Sequence, residues 1–357
     1  ARRALVLLDG IDEGGKARDA IERHVTEVLA PQGHVMLVTS RPAGVDEERF
    51  RDHFERVQLE PLSDEQQGEV IAKRLGQGEH SEFLEYLRNP ERVPLDNATK
   101  QRVTGNPLML SMVISIFQSK QGINSAMPAT ITELYETASR AMLERVDRKE
   151  RGAAASAAAV PHLISLLEAT FFEAHAEEVR DFGDTQLNRA ALALFVCRTT
   201  AELPAEAKEA LRVVRERVAQ DRLPLLSLLE AEPLQMRSSH LSFQEYFTVR
   251  AICTGKHRLP RDSPPWKWGP FWANVVKMGS ENGTEFGNGL LRAAGVEGDE
   301  LDLSDKLGGN RPTVLAVVCA LLGSLRVLDL SDNNLYFNGG AAVAEGLKGN
   351  STLQSLE

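Results

Sequence analysis

The chain of 357 residues carries only three cysteines, Cys197, Cys253 and Cys319. They are far apart, odd in number and form no CxxC pair. A disulfide framework is therefore not expected, and the reading is a reducing, cytoplasmic setting. Basic residues are also in deficit, 41 Lys and Arg against 51 Asp and Glu, for a formal net charge of -10. Nucleic-acid binding needs a basic patch or stripe, so nucleic acid is not an expected partner; a protein partner stays open. No apolar run reaches the length of a membrane span. The opening Ala1-Arg2-Arg3-Ala4 has neither a methionine nor the long apolar stretch of a signal peptide. It runs straight into an apolar strand, and residues 353–357 stop inside a repeating pattern. Both ends are expected to be interruptions of a longer protein. What remains is ordinary for a globular chain, 42% hydrophobic and 26% charged, which argues against disorder as the main state.

Residues 4–8 are an almost purely apolar run ending in Asp9, and residues 34–39 are a second, ending in Ser40-Arg41-Pro42. Continuous apolar strands suit a parallel sheet covered on both faces. Between them, residues 17–29 place Ala20, Ile21, Val25, Val28 and Leu29 at helical spacing, which completes one βαβ unit. Ligands of such units sit at the carboxyl ends of the strands, where Asp9 and Arg41 fall. Helices are expected from about residue 63, with Ser63 and Gln66 as a capping box. Another helix follows Gly105-Asn106-Pro107, and residues 131–146 are amphipathic. Residues 234–241 read as a short strand and 242–252 as a helix. Residues 255–290, rich in Gly, Pro and Trp, give no clear order.

The C-terminal part repeats. Leu301-Asp302-Leu303-Ser304-Asp305 returns as Leu328-Asp329-Leu330-Ser331-Asp332, 328 − 301 = 27 residues on. Leu325 and Leu328 return as Leu353 and Leu356, an offset of 28. That period lies in the leucine-rich-repeat range, and residues 325–335 match L-x-x-L-x-L-x-x-N-x-L, with Asn333 at the position that bonds the turn backbone. About two repeats are present, too few for a free-standing solenoid. They are expected to pack on what precedes them or to continue.

Leu5-Val6-Leu7-Leu8-Asp9-Gly10-Ile11-Asp12-Glu13 resembles the extended Walker B motif of NACHT-domain NOD-like receptors. The chemistry asks for this order: a buried strand delivers a carboxylate that holds Mg²⁺, and acids just beyond it orient the attacking water. The resemblance implies Asp9 as the Mg²⁺ ligand and Asp12 and Glu13 as catalytic acids. A bland reading, an acidic turn favouring the next helix dipole, stands beside it. Val38-Thr39-Ser40-Arg41-Pro42 resembles the sensor-1 segment, which implies Arg41 at the terminal phosphate, where a guanidinium fork suits phosphate oxygens. Gly105-Asn106-Pro107-Leu108 resembles the proline motif that packs on the adenine; a helix stop and start explains it equally. Residues 239–247, Ser-His-Leu-Ser-Phe-Gln-Glu-Tyr-Phe, resemble the winged-helix segment whose histidine meets the β-phosphate of ADP, here His240. Phe243, Tyr246 and Phe247 read as core packing; Trp266, Trp268 and Trp272 read as core or interdomain packing, with a binding face as the alternative.

Gly14-Gly15-Lys16 is not a phosphate loop, nor is Gly255-Lys256-His257; the chain holds no G-x-x-x-x-G-K-[ST]. Without that loop the chain is expected to bind nucleotide poorly and hardly to hydrolyse it. The fold expected is α/β plus α. A truncated P-loop NTPase sheet covers 1–60, a helical domain 61–125, a winged-helix domain 126–256, a helical linker 257–297 and the start of a leucine-rich-repeat solenoid 298–357. The resemblance implies a switch, closed with ADP and open with ATP and Mg²⁺, that self-assembles into a homo-oligomer on activation while the repeats sense a ligand or protein. Two other readings stay open: a non-catalytic leucine-rich-repeat adaptor on a vestigial NTPase scaffold, and a working AAA-type ATPase.

Overall fold

The computed structural model describes residues 4–41, 44–88, 93–96, 101–120, 128, 130–308 and 312–357. Pro42 and residues 121–125 of the expected helical domain lie outside them. Two compact units are present: residues 1–56, 165–211 and 228–357 in the first, residues 57–164 and 212–227 in the second. Residues 126–256, read from the sequence as one winged-helix domain, are thus divided between the units.

The first unit starts with β1 (Leu5–Leu8), α1 (Arg18–Arg23) and β2 (Val35–Val38), followed by the short α2 (Glu47–Phe50). β1 and β2 pair in parallel, Leu5 with Val35 and Leu8 with Val38. The helix between them is irregular. It begins as a 3₁₀ segment at Ile11–Ala17 and ends as a π segment at His24–Leu29. Leu5, Leu7, Val35 and Leu37 remain exposed on one face of the pair, although strands so apolar ordinarily have both faces covered.

The second unit contains α3 (Asp64–Arg88), α4 (Pro107–Lys120) and α5 (Ile131–Arg151), and α6 (Ala153–Ala176) passes from it into the first. The Ser63 capping box forms in full: Gln66 N–H donates to Ser63 Oγ (3.2 Å), and Ser63 N–H donates to Gln66 Oε1 (2.9 Å). Asn106 caps α4 by accepting from the N–H groups of Leu108 and Met109, and Pro107 takes the first helical position, where its missing N–H costs nothing. Ile71, Phe83, Leu110, Phe117 and Leu134 fill this unit's core, with the Phe83 and Phe117 rings edge to face at 4.8 Å.

The chain continues with β3 (Asp181–Gly183), α7 (Asp184–Phe195), α8 (Ala205–Ala219), β4 (Leu226–Glu230), β5 (Gln235–Ser238) and α9 (Leu241–Thr254). The strands form a sheet in the order β3-β5-β4, with β3 and β5 antiparallel. Two of these strands, β3 and β4, fall where the sequence showed only helices and loops. α9 is buried almost all round, packing Tyr246 and Phe247 inward with Phe171 stacked on Phe247 at 5.4 Å. The Gly, Pro and Trp segment becomes two 3₁₀ turns, then α10 (Ala273–Ser280) and α11 (Thr284–Ala294). Trp268 and Trp272 stack there at 3.7 Å, both buried, as packing residues. Gly289 of α11 lies so near α9 that a Cβ would stand 2.3 Å from the Ile252 carbonyl oxygen.

Last come β6 (Glu300–Asp302), α12 (Pro312–Leu322), β7 (Val327–Asp329), α13 (Tyr336–Gly346) and β8 (Ser355–Leu356). β6, β7 and β8 are parallel, and the register pairs Leu301 with Leu328 and Leu328 with Leu356, so the sequence repeat is also the strand ladder. Leu301, Leu303, Leu325, Leu328 and Leu330 are buried. Asn333 donates to the carbonyls of Leu303 (2.8 Å), Leu330 (2.8 Å) and Ser331 (3.1 Å) and accepts from Leu307 N–H (2.9 Å), closing one turn onto the previous one. α12 packs on α11 and α10, which ties the repeats to the rest of the first unit. The whole is a mixed α/β chain, mostly helical, with small parallel and antiparallel sheets. Among the described residues no helix is long and apolar enough to cross a membrane.

Candidate functional site

The ladder between β1 and β2 runs past the strand ends. Thr39 N–H donates to the Leu8 carbonyl (2.9 Å) and Ile11 N–H to the Thr39 carbonyl (3.1 Å), which fixes Asp9, Asp12 and Glu13 beside Arg41. Thr39 Oγ1 accepts from Gly10 N–H (2.9 Å) and donates to Asp9 Oδ1 (2.5 Å). Asp9 is exposed and Asp12 is 5% exposed. Asp12 is covered by the loop after β2, where Gly44 comes so close that a Cβ would stand 2.3 Å from Asp12 Cβ.

Both acids beyond Asp9 are engaged by arginines. Asp12 accepts from Arg41 twice, Oδ2 from Nε at 2.6 Å and Oδ1 from the backbone N–H at 3.2 Å. Glu13 pairs with Arg180, whose Nε and Nη2 also donate to the Ser238 carbonyl at 3.4 and 3.3 Å. Arg41 has a second carboxylate, because Nη1 donates to Glu245 Oε1 at 2.5 Å. Glu245 is fully buried in α9, and its other oxygen accepts from Asn274 Nδ2 at 2.5 Å. Burial works against the Arg41 charge, but Glu245 and Asp12 more than offset it and hold the guanidinium charged. Burial raises Glu245 above the usual carboxylate range, with Arg41 and Asn274 pulling it back.

His240 sits on the residue before α9, with extended backbone, and its Nδ1 accepts from Ser242 N–H at 3.2 Å, a helix cap. Ser238 Oγ donates to the His240 carbonyl (2.6 Å). The residue is exposed. Desolvation by its surroundings, then the charges of Arg180 and Arg41, push it below the usual imidazole range. Asp9, Asp12, Glu13, Arg41 and His240 therefore all belong to the first unit, and five of the six residues singled out in the sequence are in one compact body. Pro107 is in the second, where it starts α4.

Three residues of the network carried no warning in the sequence. Arg180 precedes β3, an unforeseen strand. Glu245 lay inside a motif read for its histidine and aromatics, although a carboxylate on a helix buried all round requires a partner. His175 is completely buried between Phe271 (centroids 4.6 Å apart) and Trp272 (4.5 Å), and burial followed by the Arg41 charge pushes it down to about 3.

The donor set bears on which ions can be held. Among the described residues no three His, Cys, Asp or Glu side chains cluster as a metal site. That does not fit a resident metal cage. A Mg²⁺ carried in on phosphate oxygens needs only one or two protein carboxylates, and Asp9 is an exposed carboxylate. The cationic groups here, Arg41 and Arg180, are already engaged by protein carboxylates, and the His240 ring beside them accepts from Ser242 N–H. No family model and no curated protein matches this chain.

Proposed function

We propose that the chain is a nucleotide-switched signalling scaffold of the NOD-like receptor type. The observation that carries this reading is the gathering of Asp9, Asp12, Glu13, Arg41 and His240 in one unit, the first four at the carboxyl ends of a parallel strand pair. That is where open α/β sheets bind ligands. In this reading Asp9 takes the Mg²⁺ that accompanies the nucleotide, Asp12 and Glu13 place the attacking water, Arg41 meets the terminal phosphate and His240 the β-phosphate of ADP. The β3-β5-β4 sheet followed by α9 supports a winged-helix assignment. The Leu301, Leu328 and Leu356 ladder with its Asn333 bonds supports a leucine-rich-repeat one. ADP favours the closed form, ATP the open, self-assembling one, and the repeats engage a ligand or protein partner; His240 supplies the state-specific contact a switch requires.

One observation favours the adaptor reading instead: both acids assigned to catalysis are held by arginines, Asp12 by Arg41 and Glu13 by Arg180. A scaffold that no longer turns over nucleotide keeps such pairs permanently. Calorimetry and light scattering separate the two. The 357-residue chain is expected to bind ATP no tighter than about micromolar, because backbone amides and a loop lysine supply much of the grip on phosphates. In the natural gene product, His240→Ala is expected to raise basal oligomerisation. Unchanged light scattering, with no nucleotide released on denaturing that product, would refute the switch and leave the adaptor.

A further inference from the structure

Arg41 is claimed by carboxylates from two distant stretches of sequence. Asp12 sits 29 residues before it and Glu245 lies 204 residues after it. The two do different work. Asp12 grips Nε and the backbone N–H, which fixes where Arg41 stands. Glu245 approaches the far end of the guanidinium, at Nη1, from a helix of another part of the fold. A carboxylate and a phosphate oxygen bind the guanidinium fork through the same N–H groups. Two anions cannot share that end of the fork: like charges a few ångströms apart repel, and Glu245 has no water to retreat into, its only other partner among the described residues being Asn274.

We propose that Glu245 is a built-in occupant of the anion position of Arg41, a carboxylate latch that a phosphate group must displace. This deepens, and rests on, the reading of Arg41 as a phosphate contact. Displacement has a structural consequence. Glu245 left without Arg41 is a buried carboxylate with one amide partner, so it must either take up a proton or leave its seat. An anion at Arg41 and an ionised Glu245 in its present seat are therefore mutually exclusive, the property that makes two states out of one site. The Glu13–Arg180 pair joins the β1 turn to the Ser238 carbonyl, two residues before His240. Arg180 is a second tie of the closed arrangement, and its release frees Glu13.

The test uses the 357-residue chain and inorganic pyrophosphate, which has no base or sugar to bind elsewhere. Glu245→Gln keeps the shape of the side chain and removes its charge. Calorimetry is expected to show pyrophosphate binding about tenfold tighter than in the parent, about 1.4 kcal/mol. The gain should vanish in Glu245→Gln combined with Arg41→Gln. Phenylglyoxal labelling read by mass spectrometry should find Arg41 protected in the parent and reactive in Glu245→Gln. Glu245→Asp, which stays charged but draws the carboxylate back by one methylene, is the second variant should Glu245→Gln fold poorly; it is expected to show a smaller gain of the same kind. Unchanged pyrophosphate affinity in the folded variants, or a gain that survives loss of Arg41, overturns the latch. A gain through Arg41 with no preference for ADP over pyrophosphate keeps the latch and counts instead against the nucleotide reading.

Discussion

His175 offers a perturbation whose size follows from its surroundings. The ring has no exposure, lies between Phe271 and Trp272, and meets only Gln244 Nε2, at 3.5 Å, while Nε2 finds no partner among the described residues. Burial, and then the Arg41 charge, hold it down at about 3 in the folded protein, against about 6.5 for a free imidazole. The sign follows directly. Below about 6.5 the unfolded chain takes up a proton that the folded chain refuses, so stability is whole above that value and lost as pH falls toward 3. Each pH unit costs about 1.4 kcal/mol, or about 2.7 kcal/mol by pH 4.5, a large share of the roughly 5–15 kcal/mol a domain possesses. The assay is guanidinium unfolding across this range for the parent and for His175→Phe, which preserves a ring between the two aromatics and removes the titrating site. Carboxylates elsewhere titrate equally in both, so the difference between the two curves isolates His175. At neutral pH the two are expected to agree within about 1 kcal/mol, since the variant also removes an unpaired buried N–H. Parallel pH dependences in parent and variant would show that the ring is not excluded from water as described.

Two further expectations concern other parts of the fold. Asn333→Ala removes four hydrogen bonds, of which the two with Leu303 and Leu307 close one repeat on the other, and is expected to cost about 2–4 kcal/mol, with the loss seen first as faster amide exchange in β6 and β7. Protection unchanged in those strands would mean that leucine packing alone holds the repeats together. Burial pushes the Cys253 thiol up to about 12, with Glu285 and Glu168 adding to the effect. Near pH 8 it should present more than about a thousandfold less thiolate than an ordinary cysteine, and native-state iodoacetamide labelling read by mass spectrometry should leave it unmodified. Labelling as fast as in the unfolded chain would contradict that burial.

Features set by near neighbours were the legible ones. The apolar runs at β1 and β2, the Ser63–Gln66 capping box and the 27- and 28-residue spacing of Leu301, Leu328 and Leu356 each depend on a few consecutive positions, and each has a structural counterpart. β3 and β4 were not legible, because Asp181–Gly183 is too short to show a period and Leu226–Glu230 interrupts helical sequence without alternation. The site divides the same way. Asp9, Asp12, Glu13 and Arg41 could be placed together since one βαβ unit brings them together. Arg180 and Glu245 enter through pairings 167 and 204 residues apart in sequence, for which no local pattern exists. α9 also carries Gln244, Thr248 and Arg250, so the charge of Glu245 did not stand out in the sequence.

The close approach of Gly289 to Ile252 bears on how force passes through the molecule. With no side chain between them, α9 and α11 meet backbone to backbone as two touching rods, and α12 lies against α11 in turn. A push delivered to the repeats thus has a path to Glu245 made of helices in contact, with no loop in series to absorb it. Stiffness of that path, more than any length of lever, would set how small a displacement at the repeats is felt at Arg41.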